Sequence, residues 1–188
     1  MRSICIFAGS SDFAIDTYKE EVEKLAEYLV SKGVDIVYGA GRVGLMGVLS
    51  RKVHSLGGKL IGVVPGYFNT WRLVFDACNE LIVTRDLQER KSVMAGRADG
   101  FLVLPGGIGT LDEFAEVLAW KQAHQHQKPI FLMNLYSFYD PLISLFENML
   151  KKNFVLSSHM SLFKVFNSTD EFIVFSEREI FAKDQVSR

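Results

Sequence analysis

The chain has 188 residues, 48% apolar and 23% charged, a balance and length that fit one globular domain with a substantial core. Its 21 basic and 22 acidic side chains leave a formal net charge of −1, which argues against broad binding to nucleic acid or to an anionic membrane surface. No run approaches the ~20 apolar residues a membrane helix needs, and the apolar residues 4–8 are too few for a signal-peptide core. Cys5 and Cys78 make no disulfide framework, so a cytoplasmic protein with buried, inert thiols is expected.

Short β-branched runs alternate with longer amphipathic stretches. Residues 3–8 read as a buried strand closed by Gly9-Ser10-Ser11-Asp12. Residues 15–31 read as a helix in which Val22, Leu25, Ala26 and Leu29 recur at helical spacing until Gly33 stops it. A strand at 35–38 leads through Gly39-Ala40-Gly41 into a helix at 45–56. Gly57-Gly58 ends that helix, and a third strand at 59–64 runs into Pro65-Gly66. Residues 66–79, with Trp71 and Phe75, are the least regular part, either a lid or a long loop. Strands at 81–84 and 100–104 flank a helix carrying Arg90 and Met94. A helix at 112–124, a strand at 129–133, a helix at 142–151, a short strand at 162–166 and a helix at 170–181 follow. Apolar strands separated by helices imply parallel strands buried on both faces with right-handed crossovers. The expected fold is α/β, a single Rossmann-like domain over residues 1–188 with a doubly wound parallel sheet and helices on both faces.

In such sheets ligands bind beyond the carboxyl ends of the strands. Glycine-bearing turns fall there four times: Gly9-Ser10-Ser11, Gly39–Gly44, Pro65-Gly66 and Pro105–Gly109. The last opens a helix, and unpaired amides at a helix N-terminus make an anion site. Gly39-Ala40-Gly41-Arg42-Val43-Gly44 has the spacing of a dinucleotide fingerprint, but it follows the second strand. The acidic residue expected about twenty positions on is also missing, since Lys59, Leu60 and Ile61 stand there. Gly106-Gly107-Ile108-Gly109-Thr110 lacks the Lys of a Walker loop, so a monophosphate suits the turn better than a nucleoside triphosphate.

Glu113 lies three residues after Thr110. The pair reads either as a capping box or as a carboxylate placed beside the glycine turn for chemistry. Arg90 reads either as a surface partner of Asp86 or as a cation at the same turn. His124 and His126 fall on different helix faces and lack Cys or carboxylate partners at ligand spacing, so no metal is expected. There is no G-x-S-x-G elbow, so nucleophilic hydrolysis has no support, and Ser158-His159-Met160 lacks the lysine of a pyridoxal-phosphate motif, so that cofactor is not expected.

At these residues the chain resembles the Lonely Guy (LOG) family of cytokinin-activating phosphoribohydrolases, often labelled "lysine decarboxylase-like". The family's P-G-G-x-G-T-x-x-E stands as Pro105 to Glu113, its R-K-x-x-M as Arg90-Lys91-Ser92-Val93-Met94, and its Y-G-G-G-x-x-G-L-M-G as Tyr38 to Gly47. Gly9-Ser10-Ser11 is similar to its first-strand turn, and the likeness covers roughly residues 1–150. The resemblance implies hydrolysis of the N-glycosidic bond of AMP or an N6-substituted AMP to free base and ribose 5-phosphate, without a cofactor. It also implies a homodimer or higher homo-oligomer. It marks Arg90 and Glu113 as the catalytic pair. Gly9, Ser10, Gly41, Lys91, Met94, Pro105, Gly106, Gly107, Ile108, Gly109, Thr110 and Asp112 are marked as substrate-binding. Three positions depart from the pattern: Gln88 replaces a common His, Ala40 a glycine, and Ala119 a threonine. The competing expectation is a non-catalytic nucleotide or cofactor carrier of the same fold.

Overall fold

A computed structural model describes residues 1–68 and 73–182. Seven strands, β1 (Ser3–Phe7), β2 (Asp35–Tyr38), β3 (Leu60–Pro65), β4 (Glu80–Thr84), β5 (Phe101–Val103), β6 (Ile130–Met133) and β7 (Lys164–Phe166), form one parallel sheet. The strand order is β4-β3-β2-β1-β5-β6-β7. The helices are α1 (Ile15–Ser31), α2 (Gly44–Ser55), α3 (Leu87–Gly96), α4 (Ile108–Gln122), α5 (Asp140–Lys151) and α6 (Thr169–Glu179).

Alternation along each strand explains the two layers. In β1, Ile4 and Ile6 belong to one core with Val22, Leu25 and Leu29 of α1 and Leu45, Leu49 and Val53 of α2. Cys5 and Phe7 point the other way, into a second core with Met94 of α3 and Phe114 and Val117 of α4. A period of two on a strand buried on both faces produces this division. The doubly wound sheet expected from the sequence is present. Among the described residues, no helix is long and apolar enough to cross a membrane.

The chain winds outward from β1 to β4, then crosses back so that β5 pairs β1 in the register Cys5↔Phe101, Ile6↔Leu102 and Phe7↔Val103. Strand order therefore reverses between β1 and β5, and their carboxyl-end turns are pressed together: the Gly9 amide donates to the Pro105 carbonyl at 3.0 Å. A Cβ on Gly9 would sit 3.1 Å from the Cα of Gly106, so this contact requires small residues on both turns.

Most elements fall within two residues of their expected limits, but α4 starts at Ile108 instead of residue 112. Gly107 is the extended N-cap, and Gly109 lies in the first turn, where its amide has no helical acceptor in any case. Of the irregular segment 66–79, Gly66–Phe68 is a short 3₁₀ turn, and Leu73 to Phe75 are strapped to the turn after β2. Arg42 and Phe75 donate their amides to the carbonyls of Leu73 and Ala40 at 3.0 and 2.8 Å. Trp71 lies outside the described residues.

Candidate functional site

A cleft of ≈ 490 Å³ opens above the carboxyl ends of β1, β2 and β3 and the start of α4. Four segments of the chain form it. Gly9 and Ser10 follow β1, Gly39 and Gly41 follow β2, Val64 and Pro65 end β3, and Gly107 to Thr110 begin α4. Arg90 and Glu113 close it from α3 and α4.

Two helices aim their N-termini here, and they differ. The start of α2 is occupied from within: the Gly44 amide donates to Asp12 Oδ1 at 2.8 Å and the Met46 amide to the Gly9 carbonyl at 3.2 Å. The start of α4 is capped by Gly107 without a side chain, and its first intrahelical bond runs from Leu111 to the Gly107 carbonyl at 3.0 Å. The amides of Ile108, Gly109 and Thr110 therefore precede any helical acceptor, and all three residues line the cleft. A Cβ on Gly107 or Gly109 would meet nothing within 4 Å, so the protein's own packing does not require glycine at either place. A phosphate resting on these amides would fill that space, in a field that favours an anion.

Glu113 lies one turn deeper, and it is not a capping residue. Thr110 is the third helical residue, and Glu113 Oε1 accepts from Arg90 Nη2 at 2.9 Å. Arg90 is likewise not Asp86's partner, since Asp86 caps α3 by accepting from the Glu89 amide at 2.8 Å. Arg90 Nε donates to the Val63 carbonyl at 3.2 Å, and a Cβ on Gly39 would overlap its guanidinium. The side chains of Arg90 and Glu113 are only 15% and 8% exposed. Burial pushes the Glu113 carboxyl up to about 7, against the opposing pull of Arg90 and then of Lys91. A buried ion pair contributes little net stability after desolvation, so its placement on a cleft wall points to chemistry.

Among the residues marked by the sequence, Gly9, Ser10, Gly41, Gly107, Ile108, Gly109 and Thr110 line the cleft with Arg90 and Glu113. The others lie elsewhere. Lys91 is ion-paired to Asp112 and Glu116, which turns Asp112 away with it. Met94 is fully buried in the core beside Phe114. Pro105 and Gly106 sit beneath the cleft, where a Cβ on Gly106 would overlap Thr110 Oγ1. Sequence reasoning passed over Gly39, whose missing side chain admits Arg90, although the glycine run after β2 signalled it. Phe68, Leu73 and Val74, from the irregular segment expected to be a lid or a long loop, form an apolar wall of the cleft, and Leu87 at the start of α3, which sequence reasoning passed over, completes it.

Residues 46–174 match the family model described as "Possible lysine decarboxylase". The chain is 40% identical over 154 residues to a probable cytokinin riboside 5′-monophosphate phosphoribohydrolase of Oryza sativa subsp. japonica, a match covering 82% of this chain and 63% of the rice protein. A probable enzyme of the same name from Arabidopsis thaliana is 39% identical over 155 residues, 82% of this chain and 77% of that one. The chain belongs to the LOG family. It spans less than two thirds of the length of the rice relative. The molybdenum cofactor carrier protein from Chlamydomonas reinhardtii shares the fold, with a TM-score of 0.69 at 20% identity over 99% of this chain and 98% of that one.

The three departures from the LOG pattern lie off the cleft lining. Ala40 takes φ +58° and is fully buried in a small cluster with Val64 and Val74, over Gly62, which lacks a Cβ. Its methyl therefore does not crowd the cleft, contrary to what a side chain in a ligand-binding turn suggests. Gln88 Nε2 donates to Glu116 Oε1 at 2.9 Å, and Ala119 is exposed on α4.

Gly109→Ala separates stability from function. The methyl enters open space in a first helical turn, so stability rises by about 0.5–1 kcal/mol and the melting temperature by roughly 1–4 °C. Affinity for a phosphate-bearing ligand falls by about tenfold or more as the methyl displaces it. Calorimetry on free and ligand-titrated protein checks both; an unchanged affinity contradicts the anion site.

Proposed function

We propose that this protein hydrolyses the N-glycosidic bond of a nucleoside 5′-monophosphate, AMP or an N6-substituted AMP, releasing the base and ribose 5-phosphate. The observation that carries this reading is the buried Arg90–Glu113 pair, 2.9 Å apart, in the same cleft as the open amides of α4. Membership of a family whose curated relatives are named phosphoribohydrolases supports it.

The phosphate rests on the amides of Ile108, Gly109 and Thr110, which directs the sugar toward Glu113. As the C1′–N9 bond lengthens, positive charge develops on the ribose ring, and the Glu113 carboxylate stabilises it or takes a proton from the attacking water. Water supplies hydroxide to C1′ and a proton to the departing base. Arg90 stays charged at any working pH, so it cannot donate that proton. It orients Glu113 and the ribose phosphate and offsets the charge of the leaving group. The apolar wall of Phe68, Leu73, Val74 and Leu87 suits a base with an N6-alkyl group, the chemistry of a cytokinin precursor. A lysine decarboxylase reading has no support in the cleft, since among the described residues no lysine lines it to form a Schiff base. Likeness to the cofactor carriers, at 20% identity, is a likeness of fold and gives the carrier reading no separate observation.

Homo-oligomerisation is part of the proposal. On α4, Phe114 and Val117 face the core, while Ile108 and Leu111 remain 83% and 39% exposed beside the cleft mouth, an apolar surface that a second copy would cover. Sedimentation of the purified protein as a dimer or larger supports this, and a monomer at micromolar concentration contradicts it.

Incubation with AMP and with N6-isopentenyl-AMP, followed by chromatography, tests the reaction: free base and ribose 5-phosphate are expected in equal amounts. Glu113→Gln should lose turnover by at least about a hundredfold while still binding AMP. With Glu113 acting as the carboxylate, kcat/KM should rise with pH through about 7, as this buried group gives up its proton. Binding without release of base, or a profile flat between about pH 5.5 and 8.5, contradicts the assignment.

Gly39→Ala tests the other half of the pair. The new methyl displaces the end of a flexible side chain, so the fold should persist while turnover falls by at least about tenfold. Circular dichroism with steady-state kinetics checks this, and wild-type turnover contradicts the role given to Arg90.

A further inference from the structure

Helices α3 and α4 meet with two cations on one and three carboxylates on the other. Next to the Arg90–Glu113 contact, Lys91 Nζ lies 2.9 Å from Asp112 Oδ2 and 2.8 Å from Glu116 Oε2. Its side chain is 13% exposed and that of Glu116 15%, so that contact is no loose surface pair, whereas Asp112 is 57% exposed and its share is screened by solvent. Gln88 adds its amide to the other oxygen of Glu116 at 2.9 Å. Lys91 is absent from the cleft lining, so its ammonium is committed to these carboxylates and not to a ligand.

Asp112 and Glu116 flank Glu113 along α4, one residue before it and three after, both within a helical turn of it. We infer that Lys91 is a positioning residue: by neutralising Asp112 and Glu116 it keeps the Arg90 guanidinium on Glu113. This rests on the reading of Arg90 and Glu113 as the reacting pair. The charged and titratable groups facing Glu113 among the described residues are Arg90 and Lys91 from α3, Asp112 and Glu116 from its own helix, and Cys5 from β1. Burial pushes the Cys5 thiol up, so it stays neutral. Without Lys91, one guanidinium faces three carboxylates. Arg90 is then drawn toward Asp112 and Glu116, and their uncompensated charge resists ionisation of Glu113.

The test compares Lys91→Met, Lys91→Arg and the triple variant Lys91→Met/Asp112→Asn/Glu116→Gln, using AMP turnover and the carboxyl titration of Glu113 followed by ¹³C NMR. Lys91→Met should lower kcat by about tenfold or more with KM for AMP within about threefold, and should move the Glu113 titration to higher pH by about 1. Lys91→Arg should restore most of both. The triple variant keeps the shape of the amino acids at 112 and 116 but removes their charges, so the Glu113 titration should return close to that of the wild type. A simple clasp between helices predicts the opposite, with the triple variant no better than Lys91→Met, and that result overturns the inference. So does a Lys91→Met protein with wild-type kcat and an unmoved titration. If Lys91→Met fails to fold, Asp112→Asn/Glu116→Gln with Lys91 retained should move the titration to lower pH, and an unmoved titration there also overturns it. The titration needs no turnover, so a wild-type protein that releases no base would sink the proposed reaction while the role of Lys91 is still decided.

Discussion

The contact on which the site depends is the 2.9 Å approach of the Arg90 guanidinium to the Glu113 carboxylate, made across two helices and nearly shut off from water. Everything around it serves to hold a charged pair where water would otherwise separate it. Gly39 gives up its side chain to leave room for the guanidinium, and the Val63 carbonyl fixes Nε. β3 and α3 thus set the cation while α4 sets the carboxylate. Because burial outweighs the attraction of Arg90, the carboxyl exchanges its proton near neutral pH, where a group that stabilises cationic sugar or activates water is most useful.

The second constraint is the reversal of strand order between β1 and β5. It opens a crevice at the carboxyl edge of the sheet, where the N-termini of α2 and α4 lie, and the chain treats them differently. Asp12 and the Gly9 carbonyl occupy the start of α2, whereas α4 begins on bare glycines. In the proposed reaction the phosphate rests on the open start of α4, with the Arg90–Glu113 pair one helical turn below it. The same reversal presses Gly9 against Gly106, so packing requires these glycines, in contrast to Gly107 and Gly109. The apolar wall on the far side comes from Leu87 of α3 and from the segment after β3, whose residues Leu73 to Phe75 are strapped to the turn after β2 by the amides of Arg42 and Phe75.

The fold was largely legible in the sequence because strands buried on both faces leave continuous apolar runs, and the helices between them carry clear helical spacing. The start of α4 was not, because glycine reads as turn wherever it stands, while the first turn of a helix tolerates it. The site was legible as a motif but not as a geometry. T-x-x-E has the spacing of a capping box, and only the position of Gly107 as the cap frees Glu113 for Arg90. Neighbours in the motif also separate in space: Lys91 and Asp112 lie beside Arg90 and Glu113 in sequence, yet they pair with each other, Lys91 with Glu116 as well, outside the cleft lining. The methyl of Ala40 is another such case, since its position over Gly62 depends on the pairing of β2 with β3, which no local pattern reports.

The central claim is that phosphate on the amides of α4 sets the anomeric carbon of the sugar against Glu113. A crystal structure with ribose 5-phosphate bound measures this most directly. The account predicts the phosphate within hydrogen-bonding reach of the Ile108, Gly109 and Thr110 amides, C1′ facing the Glu113 carboxyl, and the Arg90 guanidinium still bonded to that carboxyl. A phosphate seated elsewhere, or a C1′ turned away from Glu113, contradicts it.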